Sequence, residues 1–214
     1  MPITPCPLCF SRDTAEFFQD KQRSYLRCRQ CRLVFVPPHQ HLIPEAEKAI
    51  YDYHQNQTDD TGYRRFLSRL AEPLSSRLPA RARGLDFGCG PGPLLAKMLR
   101  EQGHTMRTFD LYYANQPEVL QSRYDFVTCT EVVEHFRQPK QEFQRLFGLL
   151  KPRGHLGIMT KLVIDADAFS RWHYKNDMTH ISFFSEDTMQ WLATNYQCRL
   201  DIIGKDVIIF TAQA

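Results

Sequence analysis

Between residues 84 and 212 the hydrophobic positions change period repeatedly: short apolar runs alternate with segments in which apolar side chains recur every three or four positions. "GLDF" (84–87), "HTMRTFD" (104–110), "YDFVTCT" (124–130) and "HLGIMTKLV" (155–163) read as buried strands. "PLLAKMLREQG" (93–103) reads as a helix with Leu94, Leu95, Met98 and Leu99 on one side and Gly103 as its stop. "PKQEFQRLFGLLKP" (139–152) carries Phe143, Leu146, Phe147 and Leu150 at i, i+3, i+4, i+7. "SEDTMQWLATNY" (185–196) is a third helix, capped by Ser185. "CRLDIIG" (198–204) and "DVIIFTA" (206–212) follow so closely that they predict a hairpin. This alternation predicts an α/β fold with a Rossmann-like, mainly parallel seven-stranded sheet, helices on both faces and an antiparallel C-terminal hairpin.

The first 82 residues are patterned differently. "SYLRC" (24–28) and "LVFVP" (33–37) predict a small β module over 1–40, ended by Pro37 and Pro38. In "TGYRRFLSRLAEPLSSRL" (61–78), Phe66, Leu67, Leu70, Leu74 and Leu78 recur at helical spacing, and Pro73 is expected to kink or split the helix. The expected organisation is therefore an N-terminal module (1–40), a helical connector covering one edge of the next domain (41–82) and a main α/β domain (83–214).

Composition narrows the class. Of 214 residues, 43% are hydrophobic and 24% charged, as in ordinary globular proteins. No apolar run approaches the roughly 18–20 residues that cross a bilayer, and "MPITPCPLCF" lacks a basic n-region and an apolar core, so a cytoplasmic protein without membrane association is expected. Residues 1–40 hold six Lys/Arg and three Asp/Glu, which accounts for the whole net charge of +3; the remainder is balanced, 21 against 21. Lys21, Arg23, Arg27, Arg29 and Arg32 form a basic stretch that could meet RNA phosphates, but so mild an overall charge does not favour a nucleic-acid partner.

Seven cysteines without an export signal read as metal ligands or buried small hydrophobes rather than disulfides. Cys6 and Cys9 in "CPLC" and Cys28 and Cys31 in "CRQC" form two C-x-x-C knuckles 18 residues apart, the pattern of a four-thiolate zinc ribbon.

The loop "GLDFGCGPGPLL" (84–95) is suited to a nucleoside but not to a phosphate. Pro91 and Pro93 lack N–H donors, Asp86 adds negative charge at the strand end, and Gly88, Gly90 and Gly92 fail the G-x-G-x-x-G register. S-adenosylmethionine, with an ammonium, a sulfonium and no phosphate, fits these features. Asp110 ends the next strand, where a carboxylate can accept hydrogen bonds from ribose hydroxyls.

At this point the chain resembles a class I S-adenosylmethionine-dependent methyltransferase. "GLDFGCGPG" resembles that family's first motif and "RTFD" the second. "YDFVTCTEVVEHF" resembles the fourth-strand motif of the ubiquinone-biosynthesis-like branch, and "LLKPRGHLGIMT" the motif after it, all in order across residues 84–160. The N-terminal ribbon and "WHYKNDMTHISFFS" resemble a zinc-ribbon methyltransferase subgroup. The resemblance implies that Asp86, Gly88, Gly90 and Gly92 contact the methionyl part of the cofactor, that Asp110 binds the ribose, and that Thr130 and Glu131 lie near the transferred methyl. The chain departs from the family after Asp110, where only "LYYANQPEVLQS" stands in place of a strand–helix unit, and at Arg153, where glycine is usual.

The run 172–184 is dense in chemistry and follows a strand end, where such sheets form ligand crevices. Trp172, Tyr174 and Asp177 are the substrate candidates; His180, His173 and Glu131 are the candidate bases. His173, Asp177 and His180 are metal-ligand types, though no local spacing demands a metal among them. Cys89 reads as a small residue in a tight loop. The leading expectation is a methyltransferase acting on a small-molecule or pendant acceptor. The alternatives are an RNA methyltransferase that docks through the ribbon and a non-catalytic scaffold that keeps the cofactor site.

Overall fold

The computed structural model describes residues 4–53 and 60–214; residues 54–59 of the expected connector, and residues 1–3, lie outside the described residues. In chain order the elements are β1 (Thr14–Gln19), β2 (Ser24–Cys28), β3 (Val34–Phe35), α1 (Pro44–Tyr51), α2 (Thr61–Ser75), β4 (Arg83–Phe87), α3 (Leu94–Glu101), β5 (Thr105–Phe109), β6 (Tyr124–Thr130), α4 (Pro139–Gly148), β7 (Leu150–Met159), α5 (Ala166–Ser170), β8 (Ser182–Phe183), α6 (Glu186–Asn195), β9 (Cys198–Ile203) and β10 (Val207–Ala212).

The main sheet has the order β5-β4-β6-β7-β10-β9. Strands β5, β4, β6 and β7 run parallel, and β10 and β9 close the far side antiparallel. Side-chain alternation sorts the two faces. Leu85, Val127, Cys129, Ile208 and Phe210 pack under α4 and α6 with Phe143, Leu146, Met189 and Leu192. Phe126, Val207 and Ile209 pack under α2 and α3 with Leu67, Leu70, Leu74, Leu95 and Leu99. Ser185 caps α6 in a reciprocal capping box with Thr188.

Three expectations are corrected. The sheet has six strands among the described residues, not seven. Residues 110–123 hold only a turn, bridged Asp110 to Ala114, and a short 3-10 helix at Pro117–Gln121. A further parallel strand with its crossover needs more chain than that. Second, α2 lies on a face of the sheet, against α3, and not over an edge, because its Leu67–Leu70–Ala71–Leu74 stripe is the buried surface there. Third, Pro73 does not split α2. It sits in the last turn, two residues before the helix ends, where few downstream hydrogen bonds remain to be lost.

The N-terminal strands form a second sheet, β1-β2-β3-β8, whose fourth strand comes from the run 172–184. Val34 pairs with Phe183 and Phe35 with Ser182, and the Val36 N–H donates to Ile181 O at 2.9 Å. Tyr25, Val34 and Val36 of the ribbon share one apolar cluster with Phe169, Tyr174, Ile181 and Phe183. The ribbon thus buries apolar surface against the body, which its small size alone would not provide.

Candidate functional site

The four cysteines of the two knuckles converge, with all four Sγ atoms within 4.8 Å of one another. Cys6 Sγ lies 3.4 Å from Cys31 Sγ, and Cys9 Sγ lies 3.4 Å from Cys28 Sγ. That is too long for a disulfide and near the edge of a tetrahedron with Zn–S bonds of about 2.3 Å. The knuckles repeat the same backbone: Phe10 N–H donates to Cys6 O, Arg32 N–H donates to Cys28 O, and Phe10 and Arg32 both take left-handed φ, 61° and 64°. The hydrogen bond from its neighbour Cys31 draws the Cys6 thiol down to about 6, while burial pushes Cys9 up to about 12. A single cation would remove this competition for protons. The donor set fits zinc.

Of the basic stretch of the ribbon, only Arg23 is buried, and the others lie at or near the surface. Arg29 meets Asp13 at 3.7 Å, Arg32 meets Asp187 at 3.6 Å, Arg27 lies 5.0 Å over the Phe17 ring, and Arg23 is buried.

A cavity of about 990 Å³ opens at the carboxyl ends of β4, β5 and β6. The glycine loop forms one wall. The N–H groups of Gly88 and Cys89 donate to Phe109 O, and Gly90 N–H donates to Asp110 Oδ2 at 2.9 Å. With Pro91 and Pro93 adding none, the loop has no row of amides left for a phosphate. Gly88 has φ 74°, and a Cβ there would stand 2.4 Å from Val132 Cγ2. Asp86 lines the cavity at 3% exposure, and burial pushes its carboxyl up to about 6. Asp110 Oδ1 accepts from the N–H groups of Tyr112 and Tyr113, so this one carboxylate shapes both the glycine loop and the turn after β5. Cys89 is half-buried, and burial together with Asp86 and Asp110 pushes its thiol up to about 12, in line with a small filler rather than a nucleophile.

Other residues lining the same cavity carry acid and imidazole groups: Glu131, Tyr174, His135 and His180. Glu131, at the end of β6, has a left-handed φ of 53°, an uncommon conformation for a residue with a side chain. Burial raises its carboxyl to about 7 against the pull of Lys161. The Tyr174 hydroxyl donates to Glu134 Oε1 and lies 3.5 Å from Glu131 Oε2; the Thr160 hydroxyl donates to Glu134 Oε2 at 3.1 Å. Burial, then the charge of Glu131, raises Glu134 to about 8. The Nδ1–H groups of His135 and His180 donate to the carbonyls of Thr179 and Tyr174, and His180 Nε2 lies 3.8 Å from Asp177 Oδ2. Ligand atoms of Glu134, His135 and His180 all lie within 4.8 Å of one another, so this trio could hold a divalent cation.

The sequence candidates are largely gathered here. Asp86, Gly88, Gly90, Gly92, Asp110, Thr130, Glu131, His173, Tyr174, Asp177 and His180 all line the cavity. Trp172 does not. It packs on Phe169, Tyr174 and Phe183 in the ribbon–body core. His173 is exposed at the rim, with Nε2 3.1 Å from Lys161 Nζ. Thr179 holds the Asp177 carboxyl below its usual range despite burial, which would raise it. A His173–Asp177–His180 metal set does not form; Glu134 and His135 replace the first two. Sequence reasoning assigned no role to Glu134, which is fully buried behind Tyr174 and Thr160, and missed the aromatic lining of Tyr51, Tyr63, Phe66, Tyr112 and Tyr113. The E-x-x-E-H spacing was a signal for Glu134. The aromatics come from three separate elements and share no local pattern.

Comparison with known proteins agrees with this geometry. A family described as "Methyltransferase domain" matches residues 54–201, more than half of the chain. A Ubiquinone biosynthesis O-methyltransferase of Serratia proteamaculans is 31% identical over 91 residues, 42% of this chain; the match spans only 37% of that relative's length. Among solved structures, a Burkholderia thailandensis 1,6-didemethyltoxoflavin-N1-methyltransferase with bound 1,6-didemethyltoxoflavin and S-adenosylhomocysteine aligns with a TM-score of 0.53 at 17% identity, covering 92% of this chain and 97% of that one. An O-methyltransferase family protein from the same organism aligns at 0.54 and 16% identity, over 79% of this chain and 60% of that one. At these identities the structures attest to the fold. The family match spans both walls of the cavity, from α2 to β9, and on that footing the chain belongs to the methyltransferase-domain family.

Proposed function

We propose that the chain transfers a methyl group from S-adenosylmethionine to a protic atom, a hydroxyl or ring N–H, of a small molecule. The observation that carries this reading is a single cavity with two chemically distinct walls. The glycine-loop side suits the donor, and the Glu131–Tyr174–His180 side, backed by the fully buried Glu134, suits an acceptor that must lose a proton.

When bound, the donor supplies an electrophilic methyl on a sulfonium. The chain has to position the two partners and take up a proton. Asp86, Gly88, Gly90 and Gly92 would hold the methionyl end, with the buried Asp86 carboxylate facing its ammonium. Asp110 would hold the ribose, beside the wall formed by Tyr112 and Tyr113. Thr130 and Glu131, at the end of β6, would lie near the transferred methyl. Glu131 and His180 are the candidate bases, and Tyr174, held between the two glutamates, orients the pair. His173, at the rim, is the weaker candidate.

A divalent cation on Glu134, His135 and His180 is the second reading for acceptor activation, and assays with and without chelator separate the two. The four-cysteine cluster is read as a structural zinc site.

The 1–40, 41–82 and 83–214 division is retained as a sequence unit, with the ribbon joined to the body through β8. Small-molecule methylation is favoured over RNA because the net charge is mild and Arg23, within the basic stretch, is buried against the body. It is favoured over a scaffold because the strained Glu131 and two buried carboxylates cost stability that a mere binding fold has no need to spend. No helix among the described residues is long and apolar enough to cross a membrane.

The test is calorimetry with S-adenosylhomocysteine on zinc-loaded protein, followed by transfer of labelled methyl to a small-molecule extract. Absence of binding, or label appearing only in RNA, rejects the proposal.

A further inference from the structure

The Arg23 side chain, in the turn between β1 and β2, is only 3% exposed. Its Nη1 donates to Met178 O at 3.1 Å, and its Nη2 donates to Asp177 O at 2.9 Å and to Lys175 O. Its Nε donates to the Tyr25 hydroxyl at 3.0 Å, and that hydroxyl lies 3.0 Å from Asp20 Oδ2. Asp20 in turn meets Lys175 Nζ at 3.5 Å.

The same stretch of backbone is held from the cavity side. Tyr174 O accepts from His180 Nδ1, and Thr179 O accepts from His135 Nδ1. Five carbonyls within six residues are therefore divided between two masters: those of 175, 177 and 178 go to Arg23, and those of 174 and 179 go to the cavity histidines. This segment contains only a short 3-10 helix, His173–Asn176, so side chains rather than a ladder fix its course.

A guanidinium is the group that suits this task. It presents five N–H donors in a rigid planar fork, whereas an ammonium presents three from one point. Burying a cation against neutral carbonyls is unfavourable unless its donors are met, and here the fork meets three carbonyls and a hydroxyl.

We propose that Arg23 is a positioning residue of the reaction site: from the ribbon it fixes the backbone of residues 175–178 and thereby sets Tyr174, Asp177 and His180 in the cavity. On this view the ribbon completes the acceptor wall and is not a separate docking module. The proposal rests on the reading of this cavity as the site of methyl transfer.

The test compares wild type, Arg23→Lys, Arg23→Ala and the control Arg29→Ala, all as full-length zinc-loaded chains. Arg29 shares the ribbon and pairs with Asp13 at the surface. Three readouts are taken: zinc content, S-adenosylhomocysteine affinity by calorimetry, and the site itself by histidine ring NMR and amide exchange. The expected result is that the Arg23 variants keep zinc and bind S-adenosylhomocysteine within about threefold of wild type. Their His135 and His180 ring signals move, and the amides of Thr179, His180 and Ile181 exchange about tenfold faster, as expected for a locally loosened segment. Guanidinium ion added to Arg23→Ala restores the histidine signals, whereas sodium does not. Histidine signals and exchange rates indistinguishable from Arg29→Ala overturn the proposal. Loss of zinc or of S-adenosylhomocysteine binding by both Arg23 variants also overturns it, since Arg23 then serves the fold at large. Failure of wild type itself to bind S-adenosylhomocysteine overturns the methyl-transfer reading alone, and the histidine and exchange readouts still decide the role of Arg23.

Discussion

The Thr128 hydroxyl donates to Asp86 Oδ1 at 2.7 Å, with both side chains closed off from solvent. Burial raises the Asp86 carboxyl to about 6; Thr128 and the charge of Arg100 keep it from rising further. The folded chain therefore holds this proton more tightly than the unfolded chain. Asp86 contributes its full stability below about pH 4, and that contribution is lost as pH rises through about 6, with no further change above. A shift of about 2 units corresponds to about 3 kcal/mol. Urea midpoints for Asp86→Asn against wild type should show the variant gaining relative stability between about pH 4 and 6. Wild type should bind S-adenosylhomocysteine more tightly as pH rises through 6, and the variant should lose that pH dependence.

Gly88→Ala places a Cβ 2.4 Å from Val132 Cγ2 at a φ of 74°. The left-handed backbone alone costs about 1–2 kcal/mol, and the overlap adds to it. Denaturation should show a loss of about 2–4 kcal/mol. Adding Val132→Ala should recover the overlap and leave the backbone term.

Asp110→Ala removes the acceptor for the N–H groups of Gly90, Tyr112 and Tyr113. Stranding amides in a half-buried loop costs about 1–3 kcal/mol, so calorimetry should show affinity for S-adenosylhomocysteine falling by about tenfold to a hundredfold. Equal affinity in the variant would remove Asp110 from the donor site.

Elemental analysis should find one zinc per chain, and Cys28→Ser should abolish it. Because the ribbon shares an apolar cluster with Phe169, Ile181 and Phe183, chelation should speed amide exchange in β8 as well as in β2, while α3 stays protected.

The strands and helices of the main sheet were legible because buried strands write short apolar runs and amphipathic helices a period of about 3.6 into the sequence, whereas α5 and β8 left no such signal. The place of Asp86, Asp110 and Glu131 along the cavity was legible because they lie at or just past strand ends, where such sheets form crevices. What stayed hidden is long-range. The pairing of Val34 with Phe183 joins residues far apart in the chain, and two residues of strand carry no periodicity. Trp172 was misread for that reason: an aromatic in a polar loop looks like a ligand contact until its partners, Phe169 and Phe183, are known. Arg23 was hidden likewise, since a basic residue in a hairpin turn ordinarily faces solvent.

The six-strand order leaves β5 and β9 as the flanks of the main sheet. Such borders expose unpaired amides and carbonyls to any neighbouring chain. Here each border carries charge at mid-strand, the exposed Arg107 on β5 and the Arg199–Asp201 ion pair on β9. A second chain adding itself there would have to strip water from those groups. The short turn after β5 leaves a charged strand at that border, which raises the cost of adding another chain, and among the described residues the sheet ends at six strands.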